Sequence, residues 1–194
     1  MGEMVVSTNA DDELVALGLG SCIGLAIVDR SAGIAGLAHI VLPESGDRSD
    51  QLGKFANTAV PELIARVRGA GGVTRRFETC VAGGARMFEM TGGLDIGARN
   101  EAAVRAALDQ AGVRVRAAET GGNQGRTVKV AVGQGLVTVR VAGQSAVTLL
   151  AGRGRRGDDL ASGRGPTIAR STTASSATGA LREPRAAMRI GAWL

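Results

Sequence analysis

The sequence predicts a layered α/β fold, with mixed β-sheets flanked by helices. Short runs of Val, Ile, Leu and Ala recur between turn residues along most of the chain, the pattern of strands. Two longer segments, 54–68 and 100–111, carry apolar residues at helical spacing. These strand-like and helix-like segments interleave, which argues for sheets covered by helices.

The elements follow in order. A strand is expected over Glu13 to Leu19, running into the Gly-rich approach Gly18 and Gly20 before Cys22. The stretch from Leu17 to Pro43, LGLGSCIGLAIVDRSAGIAGLAHIVLP, reads as a β-hairpin around the polar break Asp29-Arg30-Ser31-Ala32. Its strands would be Ile23 to Val28 and Gly33 to Ile40. With Val28 and Gly33 closing the loop, Cys22 sits directly opposite His39, and opposed side chains share a face with Cβ atoms roughly 4.5 to 5.5 Å apart. A slip of one residue would send the two side chains to opposite faces.

After a polar loop over 44–51, the segment Lys54 to Arg68 is expected as a helix ended by Gly69-Ala70-Gly71-Gly72, with Pro61 marking a kink or a later start. Phe77 to Ala82 reads as a strand. Asn100 is an N-cap candidate for a helix to Ala111, with Gly112 as the stop. Val113 to Ala117, Thr127 to Val132 and Leu136 to Val141 alternate as strands.

Residues 1–150 form the expected folded domain. They hold 15 basic and 15 acidic residues, so the whole net charge of +5 lies in 151–194, a Gly-, Ala- and Ser-rich tail with 8 basic and 3 acidic residues. That tail shows no sustained apolar period and is expected to be disordered, since it buries too little to offset ordering entropy. A neutral body with three Phe and one Trp offers neither the charge nor the stacking rings of a nucleic-acid binder, and no nucleic-acid partner is expected.

Two cysteines, Cys22 and Cys80, do not make a secreted disulfide framework, and the acidic start MGEMVVSTNADDE is unlike a secretory signal. The uncharged run near the hairpin stops at Asp29, short of the roughly 20 residues that cross a bilayer. A cytoplasmic protein without membrane insertion is expected.

His39 is the sole histidine. With one His and no CxxC pair, no metal site is indicated, and without GxGxxG or GxxxxGK[ST] no nucleotide cofactor is called for. Gly20-Ser21-Cys22-Ile23-Gly24 matches the cysteine form of a nucleophile elbow, but a strand follows where an elbow needs a helix. A cysteine nucleophile with a histidine base remains, in which imidazole could hold the thiolate as an ion pair. Taken singly, a Cys in an apolar strand is more often a small core residue, and a lone His a satisfied one. Cys80, with no second histidine to pair with, is expected as a buried core thiol.

Several separate motifs agree on one family. LGLGSC, then Gly-Leu-Ala-His-Ile-Val-Leu-Pro, Lys54-Phe55-Ala56-Asn57-Thr58-Ala59, Ala82-Gly83-Gly84-Ala85-Arg86-Met87-Phe88, Ile96-Gly97-Ala98-Arg99-Asn100 and Glu119 to Arg126 closely resemble CheD, the chemoreceptor glutamine deamidases of bacterial and archaeal chemotaxis. The resemblance covers roughly residues 10 to 141. It implies a fold similar to the deamidase domain of cytotoxic necrotising toxins, with chemoreceptor cytoplasmic domains and the CheY-phosphate phosphatase CheC as partners.

It also implies Cys22 as nucleophile and His39 as catalytic histidine, working through a Cys thioester, with the backbone N–H groups of Ser21 and Cys22 as oxyanion candidates. The family's third polar position, a threonine six residues before the cysteine, falls on Ala16. His39 is then expected to need another acceptor to orient it, such as a backbone carbonyl or a water. The alternative is a weakly catalytic or non-catalytic adaptor that binds a CheC-type phosphatase or receptors.

Overall fold

A computed structural model describes residues 2–46, 51–87, 95–152 and 187–191. Two mixed five-stranded sheets pack face to face, and two helices cover the outer face of one of them. The first sheet contains β1 (Met4–Ser7), β3 (Ile23–Asp29), β4 (Ile34–Ile40), β5 (Glu78–Gly83) and β6 (Val115–Thr120), in the order β1-β4-β3-β5-β6. The second contains β2 (Glu13–Leu19), β7 (Arg126–Ala131), β8 (Leu136–Val141), β9 (Val147–Leu150) and β10 (Ala187–Gly191), in the order β10-β2-β7-β8-β9. The helices are α1 (Ala56–Gly69) and α2 (Ile96–Gln110).

Strands β3 and β4 are buried along their whole length, because their sheet is covered on both faces. Their side chains divide by parity. Ile23, Leu25 and Ile27 of β3 join Ala56, Val60, Leu63 and Val67 of α1 and Val104 and Leu108 of α2 in the helix-side core. Ala26 and Val28 join Leu14, Ala16, Leu19, Val128, Val130 and Val139 in the core between the sheets. Gly36 of β4 admits α1 closely: a Cβ there would lie 2.8 Å from Val67 Cγ2.

Most expected elements appear, with ends displaced by a few residues, and β2 and β8 match end to end. Helix α1 runs through Pro61, whose ring is exposed, while the buried face formed by Ala59, Val60, Leu63, Ile64 and Val67 continues past it. Asn100 is not an N-cap. The cap lies five residues earlier, where Asp95 accepts the Ala98 N–H at 3.0 Å. Strands β1 and β9 were not expected, and their four-residue length carries too little periodicity to show.

Strand β10 corrects the expectation for one part of the tail. Ala187–Gly191 pairs in parallel with β2, and Ile190, 6% exposed, inserts into the inter-sheet core opposite Ala16. The rest of that segment, 153–186 and 192–194, lies outside the described residues.

The β3–β4 hairpin is closed by Asp29 and Ile34, so its four-residue turn sits one residue later than expected. Asp29 is fully buried, and its carboxylate accepts the Ser31 and Ala32 N–H groups, so it ends the strand and shapes the turn at once. Gly33 takes a φ of 67°, in the left-handed region glycine favours, and belongs to the turn. The same carboxylate accepts the Val73 N–H at 2.9 Å and pairs with Arg76 at 2.8 Å. Burial pushes the Asp29 carboxyl up, but the hydrogen bonds from Arg76, Val73 and Ala32 and the guanidinium charge outweigh it and leave it below its ordinary 3.8.

A depressed folded-state value means that this contribution is complete above the unfolded carboxyl's value and is lost as pH falls through the folded one. Asp29→Asn should therefore cost about 2–4 kcal/mol in urea unfolding at pH 7. The gap to the parent protein should narrow as the measurement moves below about pH 4.

Candidate active site

Residues Gly20, Ser21 and Cys22 carry the chain from β2, in one sheet, to β3, in the other. Pairing of β2 with β7 becomes irregular between Ala16 and Leu19, Gly18 takes a φ of 66°, and the Gly20 N–H closes on the Gly18 carbonyl at 2.9 Å. Each carbonyl of the crossing is then gripped from outside. The Ala85 N–H donates to Gly20 O at 2.8 Å, the Gly84 N–H to Cys22 O at 2.9 Å, and the Asn100 carboxamide to Ser21 O at 2.9 Å. Gly83 allows this approach. A Cβ on it would collide with the Cys22 carbonyl, and its φ of 113° disfavours any side chain.

His39 lies on β4, fully buried, and its backbone N–H donates to Glu3 O at 2.9 Å. The residue opposite it is Gly24, not Cys22. This corrects the expected register, and the cause is the four-residue turn, which spans 30–33 in place of 29–32. Because the displacement amounts to two residues, parity is kept. His39 shares the inter-sheet side with Ala35 and Leu37, and Cys22 packs against that same core. Cys22 thus stands diagonally from His39 on one face, where diagonal neighbours of a regular ladder are roughly 7–8 Å apart.

Burial governs both groups. It pushes the Cys22 thiol above its ordinary 9.0 and the His39 imidazole below its ordinary 6.5, the latter partly offset by the negative charge of Glu3. Both groups are neutral at pH 7. Neither ring nitrogen of His39 has a hydrogen-bond partner among the described residues, so the thiolate–imidazolium ion pair considered from sequence is absent from this arrangement. Such a site can work by transferring a proton from thiol to imidazole as the thiol reacts. Cys80, opposite Ala26 on β5 and 1% exposed, is pushed up to about 12 by burial and by Glu78. It is the core thiol expected. Ala16 is fully buried between Val128 and Ile190.

Beside the crossing opens a cleft of about 730 Å³ between Gly84, Arg86 and Met87 on one side and Asp95, Glu101 and Asn123 on the other. Met87, 45% exposed, lies against Gly20: a Cβ there would fall 2.9 Å from Met87 Cγ. Arg86 pairs with Asp95 at 2.9 Å across it. Two contributors escaped sequence reasoning, the close approach of Gly83 and the buried amide of Asn100. Asn100 had one available signal. It falls on the α2 stripe of Gly97, Val104 and Leu108, a polar residue at an apolar position.

The fold and site define a two-sheet α/β protein with a cysteine at the sheet crossing and a histidine on the adjoining strand. Residues 41–141 match the family described as CheD chemotactic sensory transduction. A chemoreceptor glutamine deamidase CheD of Thermotoga maritima is 41% identical over 143 residues, covering 74% of this chain and 90% of its own. Probable chemoreceptor glutamine deamidases CheD of Symbiobacterium thermophilum and Methanococcus vannielii are 41% and 40% identical, covering 74% and 72% of this chain and 91% of each of their own. The chain belongs to the CheD family. The family match begins at residue 41, after both Cys22 and His39.

In the free protein, iodoacetamide should label Cys22 slowly at pH 7 and faster as pH rises past 9, with Cys80 untouched, as read by peptide mass spectrometry. A labelling midpoint below about pH 7 would contradict the neutral pair.

Proposed function

We propose that this protein hydrolyses glutamine side-chain amides of chemoreceptors to glutamate, with Cys22 as nucleophile. The observation that carries the proposal is the placement of the sole histidine and Cys22 on one inter-sheet face, in a chain whose relatives are named chemoreceptor glutamine deamidases. As Cys22 Sγ attacks the amide carbon, the neutral imidazole of His39 takes the thiol proton. A tetrahedral adduct forms, and its oxygen faces the N–H groups of Ser21 and Cys22. Among the described residues the Ser21 N–H has no protein acceptor, and the Cys22 N–H is aimed at its own sulfur, where the new bond forms.

His39 passes the proton to the departing nitrogen, the C–N bond breaks, and ammonia leaves behind a thioester. Water, deprotonated by His39, attacks the thioester carbon. The C–S bond breaks, glutamate is released, and the sulfur recovers its proton. The cleft beside Met87 would receive the receptor segment that carries the glutamine. Chemoreceptor cytoplasmic domains and a CheC-type phosphatase are the partners proposed, with action in the cytoplasm. Among the described residues no helix is long and apolar enough to cross a membrane.

A second reading, an adaptor with little catalysis of its own, is favoured by one observation. Ala16 brings no hydroxyl to the inter-sheet core, and the His39 ring has no hydrogen-bond partner among the described residues to orient it.

Incubated with a receptor cytoplasmic fragment, the protein should release ammonia and add about one dalton per site by mass spectrometry. Cys22→Ala should abolish the release, and His39→Gln should lower kcat by about a hundredfold or more. Undiminished release by Cys22→Ala would sink the nucleophile assignment, and absence of release by the parent protein would favour the adaptor. Because burial lowers the His39 imidazole, its basic form persists below the ordinary value. The acid limb of kcat/KM should therefore fall below pH 6.5.

A further inference from the structure

The proposed chemistry leaves Asn100 unused. This side chain is fully buried in α2, where asparagine is a poor helix former with no cap to make. Both of its amide hydrogens are committed to carbonyls of other elements: Nδ2 donates to Ser21 O at 2.9 Å and to Val41 O at 2.8 Å. Its Oδ1 has no hydrogen-bond partner among the described residues, so its directional role is that of a double donor. Ser21 precedes the nucleophile and Val41 lies two residues after His39.

In a trans peptide the C=O and the following N–H lie in one plane and point opposite ways. Gripping Ser21 O therefore sets the direction of the Cys22 N–H, one of the two oxyanion candidates. The Ala85 N–H does the same for the other, since holding Gly20 O orients the Ser21 N–H. Only a planar amide of this length supplies two splayed donors from a fully buried slot. Asp has none, Ser has one, and Gln is longer by a methylene.

We propose that Asn100 is a positioning residue, which fixes the Ser21–Cys22 peptide plane and ties it to the end of the His39 strand. The proposal rests on the deamidase reading above for its effect on turnover, but its hold on the turn can be read without it.

The test compares Asn100→Ala, Asn100→Ser and Leu108→Ala in the full chain. Leu108 is fully buried on the same helix and touches only the helix-side core, so its truncation serves as the stability control. For Asn100→Ala, kcat for ammonia release from a receptor fragment should fall by about tenfold to a hundredfold, with KM within about twofold. Iodoacetamide labelling of Cys22 at pH 8 should become faster as the turn opens to water and burial ceases to hold the thiol up. Asn100→Ser, keeping one donor, should fall between, and it carries the same comparison if the alanine variant does not fold.

Leu108→Ala should lower Tm while keeping both kcat and labelling rate near those of the parent. A kcat for Asn100→Ala within about twofold of Leu108→Ala, at a temperature where both are folded, would overturn the proposal. If Cys22→Ala still releases ammonia the nucleophile assignment fails separately, and if the parent releases none the deamidase reading does; labelling alone then decides, and an unchanged rate in Asn100→Ala overturns the hold on the turn.

Discussion

Everything at the site follows from how little chain connects the two sheets. Packed sheets stand about 10 Å apart, and the three residues Gly20, Ser21 and Cys22, even extended, reach about that far. Such a crossing has no slack with which to satisfy its own carbonyls. They must be met from outside, and three neighbours meet them: Ala85, Asn100 and Gly84, two at the end of β5 and one on α2. The crossing, the β5 end and the first turns of α2 consequently form one unit, although they lie far apart in sequence. The nucleophile candidate sits where the backbone is most constrained from every side.

That constraint explains which parts of the molecule could be read in advance. Strands with a clear alternation, such as β8, matched end to end, because one face of them is core and the other is not. The hairpin was legible as a hairpin, but its closing pair was not. Asp29 reads as a turn residue and Gly33 as a strand residue, and the structure reverses both: a buried carboxylate holds Asp29 in the strand, and a positive φ puts Gly33 in the turn. Parity survived because the two errors compensated, so Cys22 and His39 still share a face. Asn100 was visible as part of a motif yet misread as a cap. Local capping signals could not reveal that its partners lie on Ser21 and Val41, reached only through the tertiary fold.

The site also shows burial winning over charge attraction. A cysteine beside a histidine suggests a ready ion pair, but both groups lie against the core between the sheets, and desolvation disfavours the charged form of each. The resting pair is neutral, and in the proposed reaction charge would separate only as the thiol attacks. At Asp29 the balance falls the other way, since three backbone N–H groups and one guanidinium surround the carboxylate. The difference lies in the number of donors aimed at each buried group.

Strand β10 bears on the order in which the molecule comes together. It pairs residues 187–191 with residues 13–17, so the outer edge of β2 is closed by a segment made long after it. During synthesis β2 can find β7 as soon as the middle of the chain has emerged, while its other edge stays open until residues 187–191 arrive. Pairings of such sequence separation form late and are the first to fray. The strand that leads directly into Cys22 is therefore sealed on one side early and on the other side only later.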